Sequence, residues 1–446
     1  MHTLAGLKHR IVITDNCTEK SCHDLNVPEQ ALEDLKKISD RRIDSLEACN
    51  LSNLLVFPYA YKDCSDDLGS AVICSIKDNK ISTYNTMGFV GVGSTALSIR
   101  SRFTPHTRQD YFLYYMLFKI LSVNIMQLRH DFERSSLREL IICFFPIFLE
   151  DALRQGIYRE YTSVAYDNNK VRGSVDVARQ IKRHMPFSGK IACNTREHNL
   201  DNRVTQLIRH TLEYIQKDTA FAFILKEHER IRQAVGTIKQ VTGSYSRSHL
   251  KEVLYKNLRP LSHPYFTAYT RLHRLCMQIL QQDVLMYGMD HSDIYGILFD
   301  GAWLWEEYLN TVLKDFGFTH ALNKRSKNGV NLFINGHTMY PDFYSTEHNL
   351  VLDAKYKRLD KREDNKDLQQ LVCYMHILHS RAGAFIYPSS DCADTKSLGT
   401  LNGYGGSMYK IPFFIDQKAA SMQDFVKKME ESEQKFCDSM ARLFNI

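Results

Sequence analysis

The stretch HTMYPDFYSTEHNLVLDAKY, His337–Tyr356, decides the fold. Its two ends, His337–Tyr344 and Leu350–Tyr356, read as short strands, and the polar Ser345–Asn349 between them reads as a turn. Side chains alternate along a strand, so Val351, Asp353 and Lys355 share one face while Leu350, Leu352 and Ala354 share the other. A hairpin then sets Asp342 near Asp353 across the ladder. Two carboxylates held close together seat a hard divalent cation such as Mg²⁺, with Mn²⁺ as a substitute, and the Ala354 carbonyl offers a further oxygen. Lys355 can hold or activate a water for attack on phosphorus. By itself, Asp-x-Lys on a strand is commonly a solvated ion pair. Here the opposite face is apolar, so the strand lies on a core, and charges there break the local pattern in the way functional sites do.

Further signals flank the hairpin. A helix is predicted over Ala302–Phe316, stopped at Gly317. Glu306 shares its face with Ala302, Leu309 and Leu313, whereas Glu307 shares one with Asn310, Thr311 and Lys314 and is expected to face water. A carboxylate on an apolar face needs a partner, either a salt bridge or a metal-bound water. Gln370, in a helix predicted over Asp367–His379, can orient a water or hold Lys355 without adding charge. Asn335-Gly336 predicts a tight turn joining Val330–Ile334 to Thr338–Tyr344. Ala382–Tyr387 reads as a buried strand stopped by Pro388. Tyr409–Ile415 reads as an edge strand, because Pro412 cannot donate to a ladder. A final helix is expected over Ala419–Phe444. Residues 291–446 thus describe a sheet flanked by helices.

Upstream, residues 1–110 suggest a β-rich module, with a charged helix at 28–43 and strands near 71–76, 80–84, 88–92 and 95–99. Residues 111–290 read as mainly helical, with helices at 110–129 and 135–156. A hairpin is expected at 158–177 around the turn Asp167-Asn168-Asn169-Lys170. The fold class is therefore mixed, α+β with an α/β C-terminal part.

The chain has 446 residues, enough for two or three domains, with 44% hydrophobic and 24% charged residues, as in ordinary globular proteins. No apolar run approaches the ~20 residues that cross a bilayer, and Met1–Gly6 does not open a signal peptide. Eleven cysteines are scattered without scaffold spacing, which fits reduced thiols in a cytosol. Cys17, Cys22 and His23 have no second pair nearby to complete a zinc site. The formal charge is +6, but the segment from Lys170 to Leu275 holds 20 basic and 8 acidic residues, leaving −6 for the remainder. A basic middle suits phosphate or an acidic partner surface, or is simply a solvated helical surface. With no Gly-x-x-x-x-Gly-Lys-Ser/Thr loop, the chain is not expected to run an NTPase cycle alone.

Asp342…Asp353-x-Lys355, with a helical Glu before and a helical Gln after, resembles the PD-(D/E)xK nuclease core. More specifically it resembles the McrC family, the nuclease subunits of McrBC-type modification-dependent restriction systems. The resemblance extends to Val171–Ile181, Glu197–Arg203, Leu304–Leu309, Leu352–Lys357, Gln370–Tyr374 and Phe385–Pro388, and covers about residues 110–390. It implies a Mg²⁺-dependent endodeoxyribonuclease of antiviral defence, cytoplasmic in a bacterium or archaeon. Such a subunit docks on a hexameric AAA+ GTPase, McrB, stimulates it, and cuts double-stranded DNA carrying modified cytosine. Asp342, Asp353 and Glu306 would serve the metal, with the Ala354 carbonyl; Lys355 and Gln370 would serve the water. Lys170 and Arg172 are the expected partner contacts. The alternatives are a standalone repair or recombination nuclease and a non-catalytic adaptor of an AAA+ motor.

Overall fold

A computed structural model describes residues 9–48, 52–58, 72–104, 110–121, 141–218, 221–259, 261–284, 294–322, 327–359, 364–391, 394–403 and 405–446. The chain forms two compact units, Met1–Leu140 with Leu285–Ile446, and Ile141–Val284. The sequence suggests breaks at 110 and 290 instead. The difference lies in one strand: Ile294–Asp300 sits between Thr86–Val92, antiparallel, and Ser52–Phe57, parallel. The N-terminal sheet therefore runs His9–Thr14, Thr95–Arg100, Thr86–Val92, Ile294–Asp300, Ser52–Phe57. Two glycines let its central ladder close. Gly88 and Gly296 have φ of +123° and +152°, and a Cβ on either would stand 2.2 Å from the carbonyl oxygen of Ile297 or Phe89. Ile11, Val56, Val90, Leu97 and Leu298 are buried on this sheet together with Leu35, Ile38 and Leu46 from the segment between its first strands.

The Ile294–Asp300 strand runs directly into the helix Gly301–Leu313, whose first turn is capped by Asp300 accepting from the Ala302 and Trp303 amides. A six-stranded sheet follows, in the order Thr319–His320, Phe343–Ser345, Leu350–Ala354, Ala382–Ser389, Ser407–Phe414, Lys396–Thr400. Leu350–Ala354, Ala382–Ser389 and Ser407–Phe414 are parallel to one another, and the outer pairings are antiparallel. Leu371, Tyr374 and Met375 of the helix Asn365–Ile377 cover one face through Val351, Phe385, Tyr387 and Met408. Aromatic contacts tie Trp305 and Tyr308 to Phe413, Phe112 to Trp305, and Phe413 to Phe436 of the last helix, Met422–Phe444. At the centre of that layer Glu433 accepts from Tyr115 (2.8 Å), Tyr308 (2.7 Å) and Lys119 (2.8 Å).

Several expectations are adjusted. All of Leu350–Ala354 is buried, on both faces, because a central parallel strand is covered from both sides. The Asn335-Gly336 turn does join Val330–Phe333 to Gly336–Met339, but these form their own two-stranded sheet and a new strand begins at Phe343. Ala382–Ser389 runs through Pro388. Ser407–Phe414 is not an edge: Lys396–Thr400 pairs along it as far as Lys410, so Pro412 lies beyond the partner's end and no bond is lost there. The expected helices over 110–129 and 135–156 are present as Tyr111–Leu121 and Phe145–Arg154; their share of 122–140 lies outside the described residues.

The second unit is helical, with Phe145–Arg154, Arg203–Lys217, Glu229–Val241, Leu250–Lys256 and Thr267–Val284, and carries one small sheet. In place of a hairpin over 158–177, Glu160–Asn168 pairs with Ile191–Asn199, whose other edge takes the two-residue strand Ser174–Val175. The exposed helix Val177–Arg183 lies between them in sequence.

Candidate active site

Asp342 stands just before the Phe343–Ser345 strand. The register Phe343↔Leu352 continues to place it opposite Asp353. Its Oδ2 accepts from the Ala354 amide at 2.7 Å, so its carboxylate reaches across to the Leu350–Ala354 strand. Its carbonyl accepts from the Ala321 amide at 3.2 Å and from His320 Nδ1 at 2.8 Å. Asp353 is 1% exposed. Lys355 Nζ lies 2.7 Å from Asp353 Oδ2, 3.1 Å from Gln370 Oε1 and 3.6 Å from Asp367 Oδ1. Gln370 Nε2 donates to the Tyr374 hydroxyl at 2.9 Å, and that hydroxyl donates to the Tyr340 carbonyl at 3.3 Å. The hairpin and the helix after it thus bring Asp342, Asp353, Lys355 and Gln370 to one end of the sheet.

The electrostatics follow from burial. Desolvation pushes the Asp353 carboxyl up, although the Lys355 ammonium works against it. Burial pulls Lys355 down, but Asp353, Asp342 and Asp367 more than offset this and hold it as an ammonium with a raised pKa. Tyr374 is pushed up to about 12 by burial, so its phenol stays protonated.

Asp367 escapes a reading of the sequence. It also pairs with Lys357, and it stands three residues before Gln370 on the same helix, which puts both on one face toward Lys355. Glu306 lies half-buried on the helix Gly301–Leu313, beside its most buried stripe, Leu304, Trp305, Tyr308 and Leu309. Glu307 does not simply face water. It accepts from Trp303 Nε1 at 3.2 Å and lies 4.0 Å from His320 Nε2, because the short Thr319–His320 strand packs where the helical wheel alone shows solvent.

The donor set fits a hard cation. Asp342 and Asp353 offer carboxylate oxygens, and those of buried Asp353 lie beside the Lys355 ammonium, 2.7 Å from Oδ2. Among the described residues no three of His, Cys, Asp and Glu cluster as a metal site. Cys17 and Cys22 are free thiols.

In the second unit, Lys170 and Arg172 are exposed on the loop after Glu160–Asn168, and Arg172 lies 5.3 Å over the Tyr166 ring. Val177, Ile181, Met185 and Phe187 beyond that loop are more than 60% exposed. No helix among the described residues is long and apolar enough to cross a membrane.

Comparison with curated proteins gives no match. Among solved structures, the chain is similar to one in a half-complex refined from the tetradecameric assembly of Thermococcus gammatolerans McrB AAA+ hexamers with bound McrC: 17% identity, TM-score 0.47, over 97% of this chain and 100% of that one. It is also similar to one in the cryo-EM structure of the Thermococcus gammatolerans McrBC complex, with 18% identity and a TM-score of 0.30 over 68% of this chain and 87% of that one. A family model matches residues 81–388, more than half of the sequence, and by that match the chain belongs to the family of McrBC 5-methylcytosine restriction system components.

Proposed function

We propose that this chain is the DNA-cutting subunit of a McrBC-type restriction system: a Mg²⁺-dependent endonuclease of PD-(D/E)xK type. In this reading it cleaves double-stranded DNA carrying modified cytosine in the cytoplasm, while docked on a hexameric AAA+ GTPase of the McrB kind. The observation that carries the reading is the convergence of buried Asp353 with Asp342, Lys355 and Gln370, on a core strand where charge costs stability unless it has a use.

Mg²⁺, or Mn²⁺ in its place, would polarise the scissile phosphate and offset the charge that develops there. Asp342 and Asp353 would hold it, with the Ala354 carbonyl as a further oxygen and Glu306 acting through water. Lys355 would orient the attacking water, its ammonium directed by Asp353 and Gln370. It donates to the water or to a non-bridging phosphate oxygen. Gln370 fixes Lys355, and Tyr374 fixes Gln370. Asp367 adds a second carboxylate that keeps Lys355 charged. None of these groups reads a base, so selection of the substrate falls to the partner. The exposed basic and apolar surface carrying Lys170 and Arg172 is the side of the second unit offered to that partner.

The test pairs the full chain with its McrB-type GTPase and follows DNA cleavage and GTP hydrolysis together. Asp353→Ala should end cleavage and leave stimulation of the GTPase in place. Charge reversal at Lys170 and Arg172 should do the opposite to stimulation while the fold survives. Cleavage by the purified chain without any GTPase would replace the docking proposal with a standalone nuclease. Cleavage that persists in Asp353→Ala would remove the site itself.

A further inference from the structure

We infer that His320 is a positioning residue for the proposed cation site, presetting Asp342 through its main chain; this rests on the reading of Asp342 as a metal carboxylate. Nothing in the local sequence Phe318-Thr319-His320-Ala321 marks it, and a histidine on a short strand is ordinarily just packed. Its geometry is specific. His320 Nδ1 is 2.8 Å from the Asp342 carbonyl oxygen. A carbonyl can only accept, so Nδ1 carries the proton. The same oxygen also accepts from the Ala321 amide at 3.2 Å, while the carboxylate end of Asp342 accepts from the Ala354 amide at 2.7 Å. Asp342 is therefore gripped at both ends by groups from two different neighbouring strands.

The His320 ring is itself held. It stacks on Phe343 with centroids 4.8 Å apart and planes 21° from parallel, and its side chain is 8% exposed. Nε2 points toward Glu307, 4.0 Å away, and Glu307 is in turn held by Trp303 Nε1. The chain of contacts runs from the Gly301–Leu313 helix through the Thr319–His320 strand to the residue that presents the carboxylate. Asp342 precedes its strand and follows Pro341; the Ala321 amide holds its carbonyl and the Ala354 amide its carboxylate. The imidazole pins its main chain from the side. Outer-shell donors of this sort orient ligands before the ion arrives, and their loss costs roughly 10–100-fold in metal affinity.

The test titrates the full-length chain with Mn²⁺ alone and reads the dissociation constant by calorimetry or by the electron paramagnetic resonance of free Mn²⁺; urea unfolding is followed in parallel. His320→Asn places an amide N–H where Nδ1 stood and should bind Mn²⁺ like the native chain. His320→Gln moves its N–H to the Nε2 end and should weaken binding by about 10–100-fold while remaining folded. His320→Leu should resemble the Gln variant if it folds, and the Asn–Gln contrast decides the matter if it does not. Equal Mn²⁺ affinity in the native, Asn and Gln chains overturns the positioning role and leaves the site standing. Failure of the native chain to bind Mn²⁺, matched by Asp342→Asn, overturns the site and this inference with it. A merely structural histidine would shift the unfolding midpoint without separating Asn from Gln in affinity.

Discussion

Replacing Lys355 with methionine keeps most of the unbranched side chain and deletes its charge, which leaves Asp353 as a carboxylate 1% exposed with its close counter-ion gone. Removing one partner of a buried ion pair costs about 3–5 kcal/mol when the survivor stays charged. Asp353 has an escape, because burial already raises its carboxyl and a proton taken up limits the loss. The sign follows. A carboxyl whose folded pKa lies above its unfolded value, about 3.9, loses stability as pH climbs from that value through the folded pKa, by ~1.4 kcal/mol per unit. In the variant the folded value rises further. In the native chain Lys355 is raised, so its contribution is fully present below the unfolded lysine value of about 10.4 and is lost only above it. Lys355→Met should therefore lie closest to the native chain at the acid end and fall behind as pH rises, by up to ~3–5 kcal/mol. Urea unfolding at several pH values reads this through Trp303 and Trp305, the chain's two tryptophans, both on the Gly301–Leu313 helix. Adding Asp353→Asn to Lys355→Met should flatten the profile. A stability gap that is constant with pH would refute the reasoning, since the missing ammonium would then not be balancing a buried charge.

Glu433→Ala strands the buried hydroxyls of Tyr115 and Tyr308 and the Lys119 ammonium, and should cost ~3–5 kcal/mol in the same unfolding measurement; Glu433→Gln, which keeps one acceptor, should cost less. Gly296→Ala drives a Cβ to 2.2 Å from the Phe89 carbonyl and should leave the chain insoluble or poorly folded on expression, whereas Gly236→Ala, whose Cβ meets nothing within 4 Å, should stay soluble. Gln370→Leu releases both Lys355 and the Tyr374 hydroxyl, and DNA cleavage assays should show roughly a 10–100-fold loss with DNA binding retained.

The placement of the candidate site residues is legible in the sequence where short-range geometry dictates it. A hairpin with a turn at Ser345–Asn349 has one register that buries its apolar residues, and that register brings Asp342 to Asp353. Gln370 was legible because the helix had to return over the strand that carries Lys355. Asp367, on the same helix, looked like any exposed first-turn acid until the two lysines facing it were placed. His320 and the tilt of Glu307 toward it depend on a two-residue strand that no periodicity can reveal. The Ile191–Asn199 strand was missed because it sits in a small, largely exposed sheet and its Asn-Thr-Arg-Glu-His run lacks an apolar alternation. The pairing of Ile294–Asp300 with strands near residues 55 and 90 was beyond reach, since both neighbours lie some two hundred residues away in sequence.

That remote pairing has a consequence during synthesis. The N-terminal strands leave the ribosome long before their central partner exists, and at elongation rates of about 5–20 residues per second the wait is roughly 10–40 s. Throughout it, Thr86–Val92 and Ser52–Phe57 expose ladder edges that nothing yet occupies. The intervening Ile141–Val284 unit, with its own core, is free to condense during the delay. A nascent chain stalled before Ile294 would carry one finished half and one sticky, unfinished half, a natural client for a holding chaperone.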